Sequence, residues 1–318
     1  MTKTARSDPP RDHRHLLGVD ATKFLNEFDN YLIRINGLAP STRTSYCFWT
    51  SRFLADFCGT APPNWSSLRG SHLAVFIQNE AAHLKRNGRA VPGVALHALL
   101  RYLRFLGAIE DGLEGAIPQR PRWQHVGLPR HLPSADVDRV VAGVSDGSAT
   151  GVRNYAILLL LARTGLRAHE VAQLSLDDID WKEGTICIRS RKTRSERNLP
   201  LAYGVGEALA DYLRWGRPAC SFRTIFLRVI PPFRPFTGSS AVCVIVRRAL
   251  KRVGILNAPA AAHMFRHSAA TGMLRSGATF KDIADVLGHA SLRTTAIYAK
   301  ADIAALSQVA MQWPESAP

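Results

Sequence analysis

The C-terminal half of this chain contains residue types that together can break and reform a phosphodiester bond. That chemistry needs a nucleophile, positive charge for the phosphate oxygens and a proton for the leaving oxygen. Tyr298 offers a hydroxyl nucleophile. Arg167 follows a Thr-Gly helix break, and His263 and Arg266 lie one helical turn apart, on one face of a predicted helix. His263 is expected either to take the tyrosine proton or to hold the phosphate. His289 follows a helix-ending glycine, which suits a hydrogen bond to phosphate.

A proton donor is offered by the basic segment Ser190–Arg197, SRKTRSER. This segment separates an alternating apolar and polar stretch, typical of a strand, from a short returning strand, so it is predicted to be a turn. Lys192 on its tip can reach a leaving oxygen. The neighbouring charges of Arg191 and Arg194 make that lysine readier to give up its proton.

Each of these features also has an ordinary structural explanation. A tyrosine on an apolar helix usually belongs to a core, and a basic turn is usually solvated. His263 and His267 are spaced as zinc ligands on a helix can be, but Met264 stands where the zinc-protease motif has Glu. Because the cation of Arg266 between them would also repel a metal, we predict no metal site.

The charge of the chain favours a polyanionic partner. It has 41 Lys and Arg against 25 Asp and Glu, a net charge of +16. This excess is spread along the sequence, and the planar arginine fork matches phosphate geometry. Charge therefore predicts a nucleic-acid-binding protein. The alternative from charge alone is a basic surface with no such role.

Composition also bounds the compartment. The five cysteines are scattered and form no CxxC pair, which fits a reducing environment. The longest apolar run, Tyr155–Ala162, is far too short to span a bilayer. The first residues are polar and lack the apolar core of a secretory signal. We therefore expect a cytoplasmic protein with no membrane partner.

The chain is predicted to fold as two domains. We expect a disordered basic tail over 1–18, a domain of four short helices over 19–111, and a basic, proline-rich extended linker over 112–133. A mainly helical domain with a small sheet follows over 134–305, and then a tail over 306–318.

Several element boundaries are predicted at specific residues. The third helix is expected over Ser71–Arg86. Ser134 is expected to cap the first helix of the second domain, which should run through Val144. Ser291 is expected to cap a helix that carries Tyr298.

Five short segments, in order, resemble the tyrosine recombinases, also called phage integrases. The helical segment Leu38–Phe57 is similar to the second helix of that family's DNA-clamping domain, and the resemblance covers roughly residues 20–305. The five segments are LPRHLPSADVDRV at Leu128–Val140, TGLRAHE at Thr164–Glu170, RKTRSERNLPL at Arg191–Leu201, HMFRHSAAT at His263–Thr271, and LGHASLRTTAIYAK at Leu287–Lys300.

The resemblance implies a fold and a reaction. The fold is mainly α: a four-helix, SAM-like core-binding domain and a mixed, mostly helical catalytic domain with a small antiparallel sheet. The reaction is cutting and rejoining of double-stranded DNA at a specific site through a 3′-phosphotyrosyl intermediate and a Holliday junction, by a tetramer that needs no cofactor and no small-molecule substrate. The catalytic residues implied are Arg167, Lys192, His263, Arg266, His289 and Tyr298, and the expected DNA contacts are Arg43, Arg191, Arg194, Arg247 and Arg248.

Departures from the family pattern are small, and alternatives stay open. His169 stands where a small residue is usual, and Phe265 replaces a commoner Leu. The 306–318 tail, with Leu306, Val309 and Trp313, is expected to pack on a neighbouring subunit or on its own domain. The recombinase is expected to act on a mobile genetic element. A type IB topoisomerase-like enzyme and a catalytically silent DNA-binding accessory protein are the two rival functions.

Overall fold

A computed structural model gives the architecture. It describes residues 13–84, 88–110, 112–118, 131–190, 195–256, 261–289, 291–295 and 297–298. The chain divides into two compact units, 1–123 and 124–318. Both are mostly helical, and the second contains a three-stranded antiparallel sheet, so the predicted fold class is confirmed. No helix in the described part of the chain combines the length and apolar character needed to cross a bilayer.

The described residues of the first unit form four α-helices around one apolar core. Apolar residues at helical spacing place one face of each helix inward, and Phe28, Phe53 and Leu99 are almost wholly buried there. Pro40 begins the second helix, where a missing backbone N–H costs no hydrogen bond. The helices are α1 (Val19–Arg34), α2 (Pro40–Phe57), α3 (Gly70–His83) and α4 (Val91–Phe105).

The second unit surrounds the apolar helix α6, whose residues from Ala156 to Leu161 are buried. On the sheet, Ile186, Ile188 and Leu199 face this core because strand side chains alternate. The elements are α5 (Ser134–Ala142), α6 (Ala149–Thr164), α7 (Ala168–Gln173), β1 (Ile179–Asp180), β2 (Thr185–Ser190), β3 (Ser195–Pro200), α8 (Tyr203–Asp211), α9 (Ser239–Arg252), α10 (Ala261–Arg275), α11 (Phe280–Leu287) and α12 (Leu292–Thr295).

The sheet order is β1-β2-β3, and both pairings are antiparallel. Ile186 pairs with Leu199, and Ile188 pairs with Arg197. The two-residue strand β1 was not predicted, because so short a segment shows no alternation. Residues 191–194 between β2 and β3, which include Lys192 and were predicted to form a turn, lie outside the described residues.

Several predicted boundaries are wrong. The predicted disorder over 1–18 is wrong for His13–Leu16, which form a 3-10 helix. The predicted linker is folded at both ends: Ile117 is buried in the first core and Leu132 in the second. The third helix ends at His83. The predicted tail over 306–318 lies outside the described residues.

The first helix of the second domain also differs from its prediction. Pro133 takes the N-cap position, and Ser134 is the first residue inside the helix, with no side-chain cap. Proline at this boundary holds the extended backbone that precedes a helix. The helix ends at Ala142 rather than at Val144.

Gly165 ends α6 in a left-handed conformation, with φ 65°, and so turns the chain toward Arg167. A Cβ at Gly165 would lie 2.7 Å from Leu287 Cδ2 and 3.2 Å from Ala269 Cβ. Gly184 has a similar φ of 61° but nothing within 4 Å of its Cβ position.

We predict that Gly165→Ala lowers the free energy of unfolding by about 2–4 kcal/mol, from backbone strain and overpacking together. Gly184→Ala is the matched control and should lose only the strain, about 1–2 kcal/mol. Urea denaturation followed by circular dichroism measures both. Equal losses would show that the contacts of Gly165 with Leu287 and Ala269 contribute nothing.

Candidate active site

The carbonyl end of α11 lies at the centre of the candidate site. Gly288 ends this helix in a left-handed conformation, with φ 63°. The last carbonyls of a helix have no partner within it, and they carry partial negative charge. Three arginines from three different elements donate to them. The bonds are Arg197 Nε to Val286 O (3.0 Å), Arg266 Nη2 to Leu287 O (2.7 Å) and Arg167 Nη2 to Gly288 O (3.1 Å).

Arg167 occupies the N-cap position of α7, directly after the Gly165 turn. Its backbone N–H donates to Glu170 Oε2 at 2.8 Å, and its Nη1 donates to Glu170 Oε1 at 3.0 Å. The side chain remains 39% exposed. Bonds from both its backbone and its guanidinium therefore hold Arg167 in place, while part of the guanidinium stays open to a ligand.

Glu170 is the carboxylate that joins two of these arginines. It also accepts from Arg197 Nη2 at 3.0 Å, and its side chain is only 8% exposed. Burial opposes its ionisation, but the backbone N–H of Arg167 and the charges of Arg197 and Arg167 outweigh it, so the pKa of Glu170 is lowered. The sequence analysis did not single out Arg197, which belongs to β3 rather than to the predicted turn.

Arg266, on α10, is a buried cation with 4% exposure. Nη1 donates to Gly165 O at 2.9 Å, in addition to the Leu287 bond. Burial and the nearby charge of Arg167 lower the pKa of Arg266 to about 10, so it still carries its charge at neutral pH. Arg167, Arg197 and Arg266 surround the carbonyl end of α11, and Glu170 is ion-paired with Arg167 and Arg197. Three guanidiniums beside one carboxylate leave an excess of positive charge suited to an anion.

Tyr298 is buried, with 1% exposure. The prediction that it lies on a helix is wrong. α12 ends at Thr295, and Tyr298 follows in a turn in which its N–H donates to Thr295 O at 3.0 Å. Its ring lies edge-on to His267, with centroids 5.5 Å apart, and stacks over His289 at 6.4 Å. Burial raises the pKa of Tyr298, although the charges of Arg266 and Arg167 oppose this.

The Tyr298 hydroxyl lies 3.1 Å from Nδ1 of His267, a hydrogen bond that the sequence analysis missed. His267 was considered there only as a possible zinc ligand. The spacing of His267 one helical turn after His263 was visible, but the approach of residue 298 to it was not. No group of three or more potential metal-binding side chains occurs among the residues that the structure describes.

The two predicted catalytic histidines have different surroundings. His263 is exposed on α10, and partial desolvation and the charges of Arg266 and Arg167 lower the pKa of His263. His289 is half-buried, and its Nδ1 lies 2.8 Å from Thr295 Oγ1. Its predicted contact with phosphate would therefore use the other ring nitrogen, Nε2.

Five of the six predicted catalytic residues lie in the described part of the chain, and the sixth, Lys192, lies outside it, as do Arg191 and Arg194. Arg167 and Arg266 meet at the end of α11, and His289 and Tyr298 follow directly from it. His263 is one turn before Arg266, with its ring centroid 6.4 Å from that of His267.

The predicted DNA contacts outside this cluster have two kinds of environment. Arg43 Nε and Nη2 donate to the two carboxylate oxygens of Asp29, each at 2.8 Å, so this face of its fork is already occupied. Arg247 and Arg248 are exposed on α9 and line a surface groove with Lys251. Their contact with DNA stays a prediction.

Comparison with known proteins gives the class. Residues 130–304 match the Phage integrase family. The Sinorhizobium fredii protein y4rA, an integrase/recombinase by name, is 39% identical over 91% of this chain and 70% of its own length. Tyrosine recombinase XerC of Mesorhizobium japonicum is 30% identical over 87% of this chain and 90% of its own.

Solved structures show the same fold. XerH recombinase in its post-cleavage complex with a palindromic difH substrate has a TM-score of 0.71 at 20% identity, over 92% of this chain and 85% of that one. A lambda integrase tetramer bound to a Holliday junction has a TM-score of 0.65 at 16% identity, over 88% and 77%. The chain belongs to the phage integrase family, and it is a tyrosine-type site-specific recombinase.

We predict that Glu170→Gln destabilises the protein by on the order of 3 kcal/mol, because two guanidiniums lose a buried carboxylate. The matched control is Asp138→Asn, which removes an exposed ion pair with Arg163 and should cost less than about 1 kcal/mol. Chemical denaturation compares the two variants. If Glu170→Gln lost no more stability than the control, its ion pairs with Arg167 and Arg197 would not stabilise the protein.

We also predict that stability falls as pH falls from about 6.5 to about 4. Burial and neighbouring cations lower the pKa of His267 and of His289 to about 4, well below the unfolded value. A depressed histidine pKa means that the unfolded chain binds protons first, so the stability present above about pH 6.5 is lost on acidification.

Urea midpoints measured across this range test the pH prediction. The double variant His267→Gln, His289→Gln should show a shallower decline than the wild type. His83→Gln, at an exposed position on α3, should follow the wild type. Parallel curves for the wild type and the double variant would rule out these two histidines as the source.

Proposed function

We propose that this recombinase cuts double-stranded DNA with Tyr298 and holds the cut strand as a 3′-phosphotyrosyl link until it is rejoined. The observation that carries the proposal is the convergence around the end of α11. The buried Tyr298 is close enough to Arg266 and Arg167 for their charges to act on its ionisation. A phosphodiester bound by those two guanidiniums would lie beside the tyrosine hydroxyl.

The excess positive charge supports a phosphate as the ligand. Negative charge develops on the non-bridging oxygens as the tyrosine attacks, and guanidiniums fixed in advance stabilise it without reorganising. Arg167 and Arg266 are fixed by carbonyls and, for Arg167, by Glu170. In the proposal His263 and His289 complete the set of phosphate contacts.

The leaving 5′ oxygen needs a proton, and we assign the role of proton donor to Lys192, which lies between β2 and β3 in the sequence. The phosphotyrosyl link keeps the energy of the broken phosphodiester, so the strand is rejoined without ATP. The reaction is therefore close to isoenergetic and runs in both directions.

Strand exchange in this proposal involves four protomers on two DNA sites and proceeds through a Holliday junction. The fold likeness to a lambda integrase tetramer on such a junction supports this arrangement. A mobile genetic element is the proposed setting, which the integrase/recombinase name of y4rA supports. The exposed Arg247 and Arg248 would contact the DNA backbone.

We predict that a nicked suicide substrate carrying the cognate site traps a covalent complex with the wild type. Tyr298→Phe should form no adduct while its DNA affinity stays unchanged, because only the attacking oxygen is removed. Denaturing gels detect the adduct, and mobility shifts measure binding. Tyr203→Phe, at an exposed tyrosine on α8, is the control and should form the adduct normally.

A second assay, incubation with supercoiled DNA with and without paired sites, separates the rival functions together with the adduct assay. Relaxation of supercoiled DNA without dependence on paired sites would favour the topoisomerase-like enzyme. A wild-type protein that binds its cognate site but forms no adduct would favour the silent accessory protein and would refute the proposal.

A further inference from the structure

The hydrogen bond between Tyr298 and His267 brings to the nucleophile a histidine other than His263, which the sequence analysis named as a possible acceptor of the tyrosine proton. His267 lies on α10 immediately after Arg266 and is half-buried. Its Nδ1 is 3.1 Å from the tyrosine hydroxyl, a good hydrogen-bond distance, and the edge-on arrangement of the two rings keeps the hydroxyl directed at this nitrogen. A group in that position contacts the proton that must leave when the tyrosine attacks.

We propose that His267 is the catalytic base of strand cleavage, an inference that rests on the proposed function. The Tyr298 O–H bond breaks, its proton goes to Nδ1 of His267, and the tyrosine oxygen forms the new bond to phosphorus. The bond from phosphorus to the 5′ oxygen breaks, and that oxygen takes its proton from Lys192. On rejoining, both proton transfers run in reverse.

Position distinguishes His267 from His263. His263 lies one helical turn earlier on α10, is exposed, and has its ring centroid 6.4 Å from that of His267. Of these two histidines, it is His267 that is hydrogen-bonded to the Tyr298 hydroxyl. His263 therefore remains available for the phosphate.

The protonation state of His267 in the free protein fits a base whose proton affinity rises when the substrate binds. Burial, followed by the charges of His263, Arg266 and His131, lowers the pKa of His267 to about 4, so its ring is neutral at pH 7 and Nδ1 can accept a proton. A phosphate bound at Arg266 adds negative charge beside these cations. It therefore raises the basicity of His267 when DNA is present.

The test compares His267→Gln with the wild type in single-turnover cleavage of the suicide substrate. Gln can hydrogen-bond the hydroxyl but cannot take its proton, so we expect cleavage to slow by about 10²–10⁴-fold. DNA affinity should be unchanged. The wild-type rate should fall on acidification as His267 takes up a proton, at a pH no lower than its free-protein pKa of about 4, and this acid limb should be missing in His267→Gln.

A substrate with sulfur in place of the bridging 5′ oxygen separates the base from the acid. Sulfur leaves without a proton, so this substrate should restore cleavage by Lys192→Ala but not by His267→Gln. His97→Gln, the same change at a half-buried histidine of α4 in the other unit, should cleave like the wild type.

The outcomes are distinct. Three results for His267→Gln would each refute its role as the base. They are a cleavage rate close to that of the wild type, restoration of cleavage by the sulfur substrate, and a faster rate, which would mean that the hydrogen bond restrains the tyrosine. If His267→Gln fails to fold, the wild-type profile decides, because a cleavage rate that stays flat from about pH 8 down to about pH 4 overturns the proposal. No adduct from the wild type refutes the proposed function itself.

Discussion

The catalytic unit is organised by the attraction of three guanidiniums to the carbonyl end of one short helix. α11 ends at Leu287, and its last carbonyls accept from Arg167, Arg197 and Arg266. These arginines come from α7, β3 and α10, so one helix terminus fixes three elements relative to each other. Each arginine has five N–H donors, and carbonyls and Glu170 use only some of them. Side chains that stabilise the fold in this way keep donors for a ligand.

The same helix terminus also leads to the nucleophile. Gly288 reverses the chain after α11, and His289, α12 and Tyr298 follow within ten residues. Gly288 has a left-handed φ of 63°, which favours glycine, and a Cβ there would lie 2.5 Å from Arg197 Nη1, so that guanidinium would have to shift. The turn at Gly288 therefore serves two purposes. It ends the helix whose carbonyls hold the arginines, and it begins the segment that leads to Tyr298, which contacts α10.

Much of this was predictable from the sequence, and the rest was not for specific reasons. The breaks at Gly165 and Gly288 and the helical face shared by His263 and Arg266 are local, so they were visible in residue order. Arg197 was missed because its partners are Glu170 on α7 and Val286 on α11, far away in sequence. The Tyr298–His267 contact spans 31 residues and depends on α12 ending at Thr295, which no local signal marks. In the first unit, the occupation of Arg43 by Asp29 similarly required a tertiary contact between α1 and α2.

The imbalance between three arginines and one carboxylate has a consequence for the free protein. Buried or half-buried like charges repel, and Arg266 and the histidines beside it have lowered pKa values for this reason as well as through burial. The cluster is therefore less stable empty than it would be with a second anion present. A bound phosphate supplies that anion, so its binding energy relieves repulsion already built into the fold. Because a ligand that binds only the folded state stabilises it, affinity for phosphate and stability of this unit are two measures of the same charge imbalance.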